Sequence, residues 1–283
     1  MFRFKFRRGF TLNIFARRPF TSQITMSHSH HSGFDSAPHG LDTVSAPWVG
    51  EFKQFLPKDD KAATLFSFST ISVKEVDGHD GNKKTIIAPH VRTCAFRGFA
   101  FGENSGILKV TTDKRMDKFE QIRSEKTNGV FEACFYFTTP DKIVQYRLSG
   151  RCKMAYQDEN GEIVFDNPED GTVQQATAEI ADAFKASWEN LSPGMQLSFA
   201  KPPPGSEFTE EHADLLDEIE KLSDSVKQGG EIPEQVSKQA LQNFVTMFLM
   251  PDRVDYVDVR GVGQRIVFEQ DGPYMWRFNR ICP

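Results

Sequence analysis

The sequence Ile107-Leu-Lys-Val-Thr-Thr-Asp-Lys-Arg-Met-Asp-Lys118 changes within twelve residues from the pattern of a strand to that of a helix. Residues 107–112 are rich in β-branched and apolar side chains, which indicates a strand. From Lys114 to Glu125, apolar side chains recur at helical spacing, with Asp113 placed to cap the helix. This stretch therefore predicts a strand that leads directly into a short helix.

Strand patterns continue on both sides of this junction. They cover residues 64–73, 85–97, 130–138 and 143–156, and turn-forming residues lie at 77–82 and 158–161. Pro89 lies inside the second pattern, which predicts an edge strand or a bulge because proline cannot donate to a ladder. Residues 64–167 are expected to form five or six antiparallel strands with one short helix, closed as a small barrel.

The helical period dominates only one later part of the chain. Ile180, Phe184, Trp188 and Leu191 form one apolar stripe, and Leu215, Ile219, Leu222 and Val226 form a second in an acidic segment. We expect a peripheral helical insertion at about residues 172–230. Strand patterns return at 244–250, 254–260, 265–269 and 274–279, so residues 45–283 are predicted to be one mainly β domain.

The composition excludes some functional classes. The 283-residue chain is 39% hydrophobic with a net charge of −5, enough apolar content for a large core. No apolar run reaches the roughly 18 residues needed to span a bilayer. The four cysteines show no CxxC spacing, so free thiols are expected. His28, His30 and His31 fall in a Ser/Gly-rich linker, and no metal site is predicted.

The first 25 residues differ sharply from the rest. They contain six Lys or Arg and no acidic residue, so the remaining residues carry a net charge of −11. Such an acidic body disfavours nucleic-acid binding. The basic start predicts a mitochondrial transit peptide within a leader and linker of residues 1–44. The alternatives are a disordered basic tail, or a cytoplasmic protein whose translation starts at Met26.

Four motifs combine basic and hydroxyl side chains with strand patterns. They are Arg92-Thr-Cys-Ala-Phe-Arg97, Thr111-Thr-Asp-Lys-Arg-Met-Asp-Lys118, Gln145-Tyr-Arg-Leu-Ser-Gly150 and Trp276-Arg-Phe-Asn-Arg-Ile-Cys-Pro283. Taken singly, each is more often structural, as an edge charge, a solvated helix face or a core tryptophan. In this order, they resemble the FMN-binding split-barrel family related to pyridoxamine 5′-phosphate oxidase, over roughly residues 45–283.

The resemblance implies an antiparallel Greek-key split barrel with peripheral helices that binds FMN, most simply as a homodimer with the flavin at the subunit interface. Arg92, Arg115 and Lys118 would hold the phosphate, and Arg97 and Gln145 would contact the ring system. The full set of implied cofactor residues is Arg92, Thr93, Cys94, Phe96, Arg97, Thr111, Thr112, Arg115, Lys118, Gln145, Arg265 and Trp276.

The chain also departs from the family pattern. Arg97 replaces a lysine, Met116 replaces a serine and Asp117 replaces an arginine. The loop Arg260-Gly-Val-Gly-Gln-Arg265 lacks the histidine with which the vitamin B6 oxidases hold substrate, so that activity is not expected and no catalytic residue is assigned. The expected function is a flavin-dependent oxidoreductase of unknown small-molecule substrate. The alternatives are a flavin-binding module without turnover, a related barrel that binds haem or deazaflavin, or a structural protein.

Overall fold

The computed structural model describes residues 45–58, 63–77, 82–260, 263–272 and 275–283. The basic start, the histidine cluster and the tip of the first hairpin lie outside this part of the chain. None of the described helices is both long and apolar enough to cross a bilayer.

All strand pairs are antiparallel, as predicted. The strands are β1 Thr64–Asp77, β2 Lys83–Phe96, β3 Leu108–Asp113, β4 Val130–Thr138, β5 Ile143–Gln157, β6 Ile163–Asn167, β7 Thr172–Gln175, β8 Phe244–Asp258, β9 Gln264–Gln270 and β10 Trp276–Ile281. Their order in the sheet is β10-β9-β8-β5-β4-β1-β2, while β3 pairs with β8 and β6 pairs with β5 and β7. Pro89 lies on β2 at the end of this order, which confirms the edge position predicted for it.

Strands β5 and β8 are long enough to take part in two regions of the sheet. The second half of β5 and the first half of β8 pair with each other beside β3, while their other halves pair beside β9. The register shifts between Ser149 and Gly150, opposite Pro251. A side chain at Gly150 would collide with the Met250 carbonyl oxygen, so the bulge requires glycine here.

Aromatic side chains fill the barrel. Phe52 of the short helix α1 (Val49–Phe52) makes edge-to-face contacts with Phe96, Phe135 and Tyr146 from three different strands. Phe66 stacks on Phe135 with ring centroids 4.4 Å apart. This core explains why buried aromatic or aliphatic side chains alternate with more exposed ones along β1 and β4.

The helical part contains more than the two predicted helices. It consists of α3 Ala178–Glu189, α4 Pro193–Ser198, α5 Glu210–Lys227 and α6 Glu234–Asn243. These helices cover the outer side of the sheet, where Phe184 and Ile219 join Phe244 and Phe248 of β8 in a second apolar core. The prediction ended the insertion near residue 230 because α6 carries few apolar residues, of which Ala240 is buried.

The helix after β3 starts later than predicted. Helix α2 spans Asp117–Arg123, its N-cap is Met116, and no side chain caps it. The prediction that Asp113 caps this helix is wrong. The Asp113 carboxylate instead accepts hydrogen bonds from the backbone and side chain of Arg115, because that residue lies in the turn before the helix.

Candidate functional site

Strands β2 and β3 meet at one end only. There, the Arg97 amide donates to the Lys109 carbonyl (2.9 Å) and the Lys109 amide donates to the Gly98 carbonyl (2.8 Å). In the described part of the chain, residues 91–96 of β2 pair only with β1, and residues 110–113 of β3 pair only with β8. We call the gap between these two segments the split, because the barrel lacks a strand-to-strand ladder there.

Lys118 lies at the split and contacts its β3 side. Its ammonium donates to the Thr112 hydroxyl of β3 at 2.9 Å and lies 3.0 Å from the Met116 sulfur. Burial lowers the pKa of Lys118, and the positive charge of Arg92 lowers it further. Burial also raises the pKa of the Cys94 thiol, while Lys118 and Arg92 oppose that change. Arg92 bonds to Gln121, which lies three residues after Lys118 on α2, and Cys94 lies two residues after Arg92 on the same face of β2. We call Arg92, Cys94, Thr112 and Lys118 the basic cradle.

Arg92 is held by uncharged groups. Its guanidinium donates to the Thr70 hydroxyl at 2.6 Å and to the Gln121 side-chain oxygen at 2.7 Å. Weaker bonds reach the backbone carbonyls of Phe68 and His90. Burial lowers the pKa of Arg92, but an arginine stays charged at physiological pH. Among the described residues, no carboxylate forms an ion pair with either Arg92 or Lys118, although Asp117 raises the pKa of Arg92 and Asp113 raises that of Lys118 from a distance.

A cavity of about 360 Å³ borders the basic cradle. It lies between the β1–β2 hairpin and the segment around α2. Met116, which contacts Lys118, and Gln121, which holds Arg92, both line it. The remaining polar lining includes the cations Lys74, Lys114 and Arg115 and the carboxylates Asp117 and Glu120. The cavity therefore reaches the residues that hold Arg92 and contact Lys118, and its own lining carries charges of both signs.

Arg115 is not directed at the basic cradle. Its guanidinium forms a two-pronged ion pair with Asp113 (3.0 and 2.6 Å) and donates to the carbonyls of Phe199 and Lys201. These contacts tie the end of β3 to the segment that follows α4. The predicted phosphate role of Arg115 stays a prediction, although four of its five N–H groups are already engaged within the protein.

Gln145 and Arg265 lie on the outer face of the sheet. Gln145 is three strands from β2 in the order β2-β1-β4-β5, a distance of roughly 14 Å at the usual strand spacing. Arg265 donates to both oxygens of Asp255, at 2.9 and 2.7 Å, and Arg147 donates to the same carboxylate at 2.8 Å. These two predicted residues therefore do not join the basic cradle of their own chain.

The electrostatics of this outer cluster depend on Asp255. Burial alone would raise the pKa of Asp255, but the hydrogen bonds and charges of Arg265 and Arg147 outweigh burial and hold it below its usual range. Two guanidinium groups share one carboxylate, so the cluster keeps a net positive charge. Burial raises the pKa of the nearby Cys134 thiol, and Gln145 and Arg147 oppose that change.

The other predicted residues are dispersed. Thr93 is exposed on the outer face of β2, and Phe96 packs into the aromatic core. Thr111 lies opposite Thr246 of β8. Arg97 has a buried Nε without a partner in the described residues. Trp276 lines a separate cavity of about 240 Å³ together with Arg151, Lys153 and Asp252.

Two residues of the site escaped the sequence analysis. Thr70 and Gln121 belong to no motif, and both are uncharged. The alternation along β1 could have identified Thr70, because Thr70 follows Phe66 and Phe68 on the inward-facing side of the strand. A polar side chain that is buried there needs a hydrogen-bond partner. Gln121 lies three residues after Lys118, on the neighbouring turn of α2.

The family model of the pyridoxamine 5′-phosphate oxidase FMN-binding domain matches residues 45–156. Residues 45–156 are therefore similar to that domain. The matched segment is about two fifths of the chain and includes β1 to β4, α2, most of β5 and every residue of the basic cradle. No curated protein matches this chain in sequence.

A solved structure shares the architecture of this chain. The chain is similar to a pyridoxamine 5′-phosphate oxidase-related, FMN-binding protein from Nostoc punctiforme, with 24% identity and a TM-score of 0.57 over 84% of this chain and 98% of the other. It also matches PhzG from Burkholderia lata in complex with tetrahydrophenazine-1-carboxylic acid, with 16% identity and a TM-score of 0.49 over 86% and 100% of the two chains. The fold is thus the mainly β, FMN-binding split barrel.

Proposed function

We propose that this protein binds FMN, with the phosphate at the basic cradle. The observation that carries the proposal is the pair of cations without an ion-pair partner among the described residues, Arg92 and Lys118, on the two sides of the split. A buried positive charge without a carboxylate partner is costly unless an anion neutralises it. The match of residues 45–156 to the family model of an FMN-binding domain supports flavin phosphate as that anion.

The donors in the basic cradle suit a phosphate ester. A guanidinium can donate two parallel hydrogen bonds to phosphate oxygens, and an ammonium adds a compact positive charge. Thr112 holds the Lys118 ammonium in place through a 2.9 Å bond and is itself only 4% exposed. Arg92 and Lys118 would therefore bind the phosphate, while Thr112 would position the lysine.

We further propose that the flavin serves a two-electron oxidoreductase reaction on a small organic substrate. Bound FMN would supply the hydride chemistry, and the protein would supply binding, orientation and exclusion of water. No described residue is assigned to proton transfer, so a flavin-binding module without turnover is the alternative that kinetic work must exclude. Anaerobic bleaching of bound flavin by a candidate substrate would establish turnover.

Two copies of the chain would complete the flavin site. Within one chain, Gln145 and Arg265 lie on the outer face, away from the basic cradle, so a second copy would have to present them. The outer face also carries exposed apolar side chains: Leu65 is 61%, Val91 is 73% and Tyr136 is 60% exposed. Such a face in a soluble protein suits a partner surface.

The dimer can be tested by sedimentation at micromolar concentration. Val91→Asp should convert a dimer to a monomer and weaken FMN binding together. Phe208→Asp is the matched control, because Phe208 is 72% exposed but lies next to the helical part. A monomeric wild-type protein that binds FMN tightly would exclude a site shared between two copies.

The cofactor is tested by an absorption spectrum of the freshly purified protein and by the mass of the released molecule. Arg92→Ala and Lys118→Ala should each lose the flavin spectrum. Lys126→Ala should keep it, because Lys126 is exposed and already paired with Glu75 at 2.8 Å. A haem or deazaflavin spectrum, or a colourless protein that FMN does not saturate, would overturn the proposal.

We also propose that residues 1–25 direct the chain to mitochondria. The support is the basic, acid-free composition of this segment. A fusion of residues 1–44 to a fluorescent reporter should be imported and shortened, while a fusion that starts at Met26 should stay in the cytoplasm. A reporter that remains cytoplasmic with both leaders would refute the assignment.

A further inference from the structure

Arg92 differs from Arg115 and Arg265, two other arginines that the motif analysis singled out. Arg115 is paired with Asp113, and Arg265 is paired with Asp255. The side-chain partners of Arg92 are Thr70 and Gln121, which carry no charge. Asp117 raises the pKa of Arg92 from a distance, but it forms no ion pair with this residue in the described structure. The protein therefore fixes Arg92 without neutralising it.

The three side chains form a closed ring of hydrogen bonds. The Thr70 hydroxyl accepts from one guanidinium nitrogen at 2.6 Å and donates to the Gln121 side-chain oxygen at 2.6 Å. That oxygen also accepts from the other guanidinium nitrogen at 2.7 Å. Thr70 is 2% exposed, and the Gln121 backbone carbonyl is held by the Thr127 hydroxyl at 2.6 Å. We call Thr70 and Gln121 the neutral clamp.

A carboxylate could take the place of the Gln121 side-chain amide in this ring. The Gln121 oxygen acts only as an acceptor here, and a carboxylate oxygen of glutamate would accept the same two bonds. A glutamate would make the contact to Arg92 a charge-assisted ion pair, which is stronger than a neutral bond. From stability alone, glutamate would suit this position at least as well as glutamine.

We propose that the neutral clamp is a specificity determinant for a phosphate dianion. It positions Arg92 and leaves its full charge to the ligand, so the basic cradle prefers phosphorylated flavin to uncharged flavin. This inference rests on the proposed function and assigns the phosphate preference to Thr70 and Gln121. Both residues act through Arg92 and are positioning residues.

The test compares FMN with riboflavin, because the two differ only in the phosphate. Gln121→Glu should weaken FMN binding by about 10- to 100-fold, the loss of roughly one charge-assisted contact, and leave riboflavin binding unchanged. Both affinities are measured by flavin fluorescence quenching on the full chain stripped of cofactor. Glu125→Gln, at an exposed position that does not line the cavity, is the control and should leave the FMN-to-riboflavin ratio unchanged.

A second pair of variants avoids dependence on one substitution. Thr70→Val removes the hydroxyl from the ring at nearly constant volume and should reduce the FMN-to-riboflavin ratio, while Thr70→Ser should retain it. A purely structural role would lower both affinities in parallel. If wild-type protein prefers FMN but Gln121→Glu keeps the wild-type ratio, the inference fails and the proposed function stands. If wild-type protein does not bind FMN, both fail.

Discussion

At the residue scale, the partners of each cation decide its role. Lys118 and Arg115 are three residues apart, yet Lys118 bonds to a hydroxyl and Arg115 to a carboxylate. Sequence alone could not separate them, because the partners of Arg115 include backbone carbonyls 84 and 86 residues away. A basic motif predicts that cations are present, whereas the fold decides which of them stay unpaired.

Lys118 should give the FMN affinity a distinctive pH dependence. On the acid side, binding should weaken below about pH 6, because the phosphate monoester takes up its second proton. On the alkaline side, binding should weaken before pH reaches the ordinary lysine value of 10.5, because burial lowers the pKa of Lys118 and the ammonium loses its proton earlier. FMN titrations across pH measure both limbs.

Lys118→Arg provides the control for this profile. Arginine does not deprotonate in this range, so the variant should lose the alkaline limb and keep the acid limb. Riboflavin affinity should be flat with pH over the acid limb in both proteins. If the Lys118→Arg variant still loses FMN affinity at high pH, that loss comes from the deprotonation of another group.

Arg115 should matter for stability more than for FMN affinity. Arg115→Ala leaves the Asp113 carboxylate, 4% exposed, without its ion-pair partner. We expect a loss of about 2–4 kcal/mol in the free energy of unfolding, measured by urea denaturation. Lys238→Ala, which breaks the exposed pair with Glu234, should cost less than about 1 kcal/mol. Equal losses in the two variants would contradict the structural role of Arg115.

At the element scale, most strands were predictable and the helix boundaries were not. The two strands predicted at 244–250 and 254–260 are one strand, β8, and β7 lies where the helical insertion was expected to begin. Alternation along residues 130–138 and 143–156 located β4 and β5 within one residue, because each strand has one face in the aromatic core. The start of α2 was misplaced because Asp113 bonds to Arg115 rather than to the helix. Likewise, α6 carries too few apolar residues to be predicted from periodicity, since most of its surface is exposed.

The bulge in β8, where Asp252 is left without a partner opposite Ser149 and Gly150 of β5, supplies a prediction at this scale. Gly150→Ala places a methyl group against the Met250 carbonyl, so the two long strands would have to separate locally. We expect a loss of about 1–3 kcal/mol in unfolding free energy, as for other overpacked sites. Gly50→Ala is the control: nothing lies within 4 Å of its added carbon, so it should be neutral or slightly stabilising. If Gly150→Ala is as stable as wild type, the close approach of the strands is wrong.

At the scale of the whole molecule, the barrel determines where a ligand can lie. In the described part of the chain, the split exists because the chain that leaves β2 meets β3 only at residues 97–99 and 108–109. This opening brings a cation from β2 and a cation from α2 to one place, although they are 26 positions apart in the sequence. The motifs predicted this convergence, whereas the neutral clamp and the outer location of Gln145 became visible only in the folded chain.

The most direct test of the account is the ratio of the affinities for FMN and for riboflavin, measured on the full-length wild-type chain stripped of cofactor. Because Arg92 and Lys118 would each add a charge-assisted contact to the phosphate, we expect FMN to bind at least about 100-fold more tightly. Equal affinities, within a factor of about 2, would contradict a phosphate site at the split.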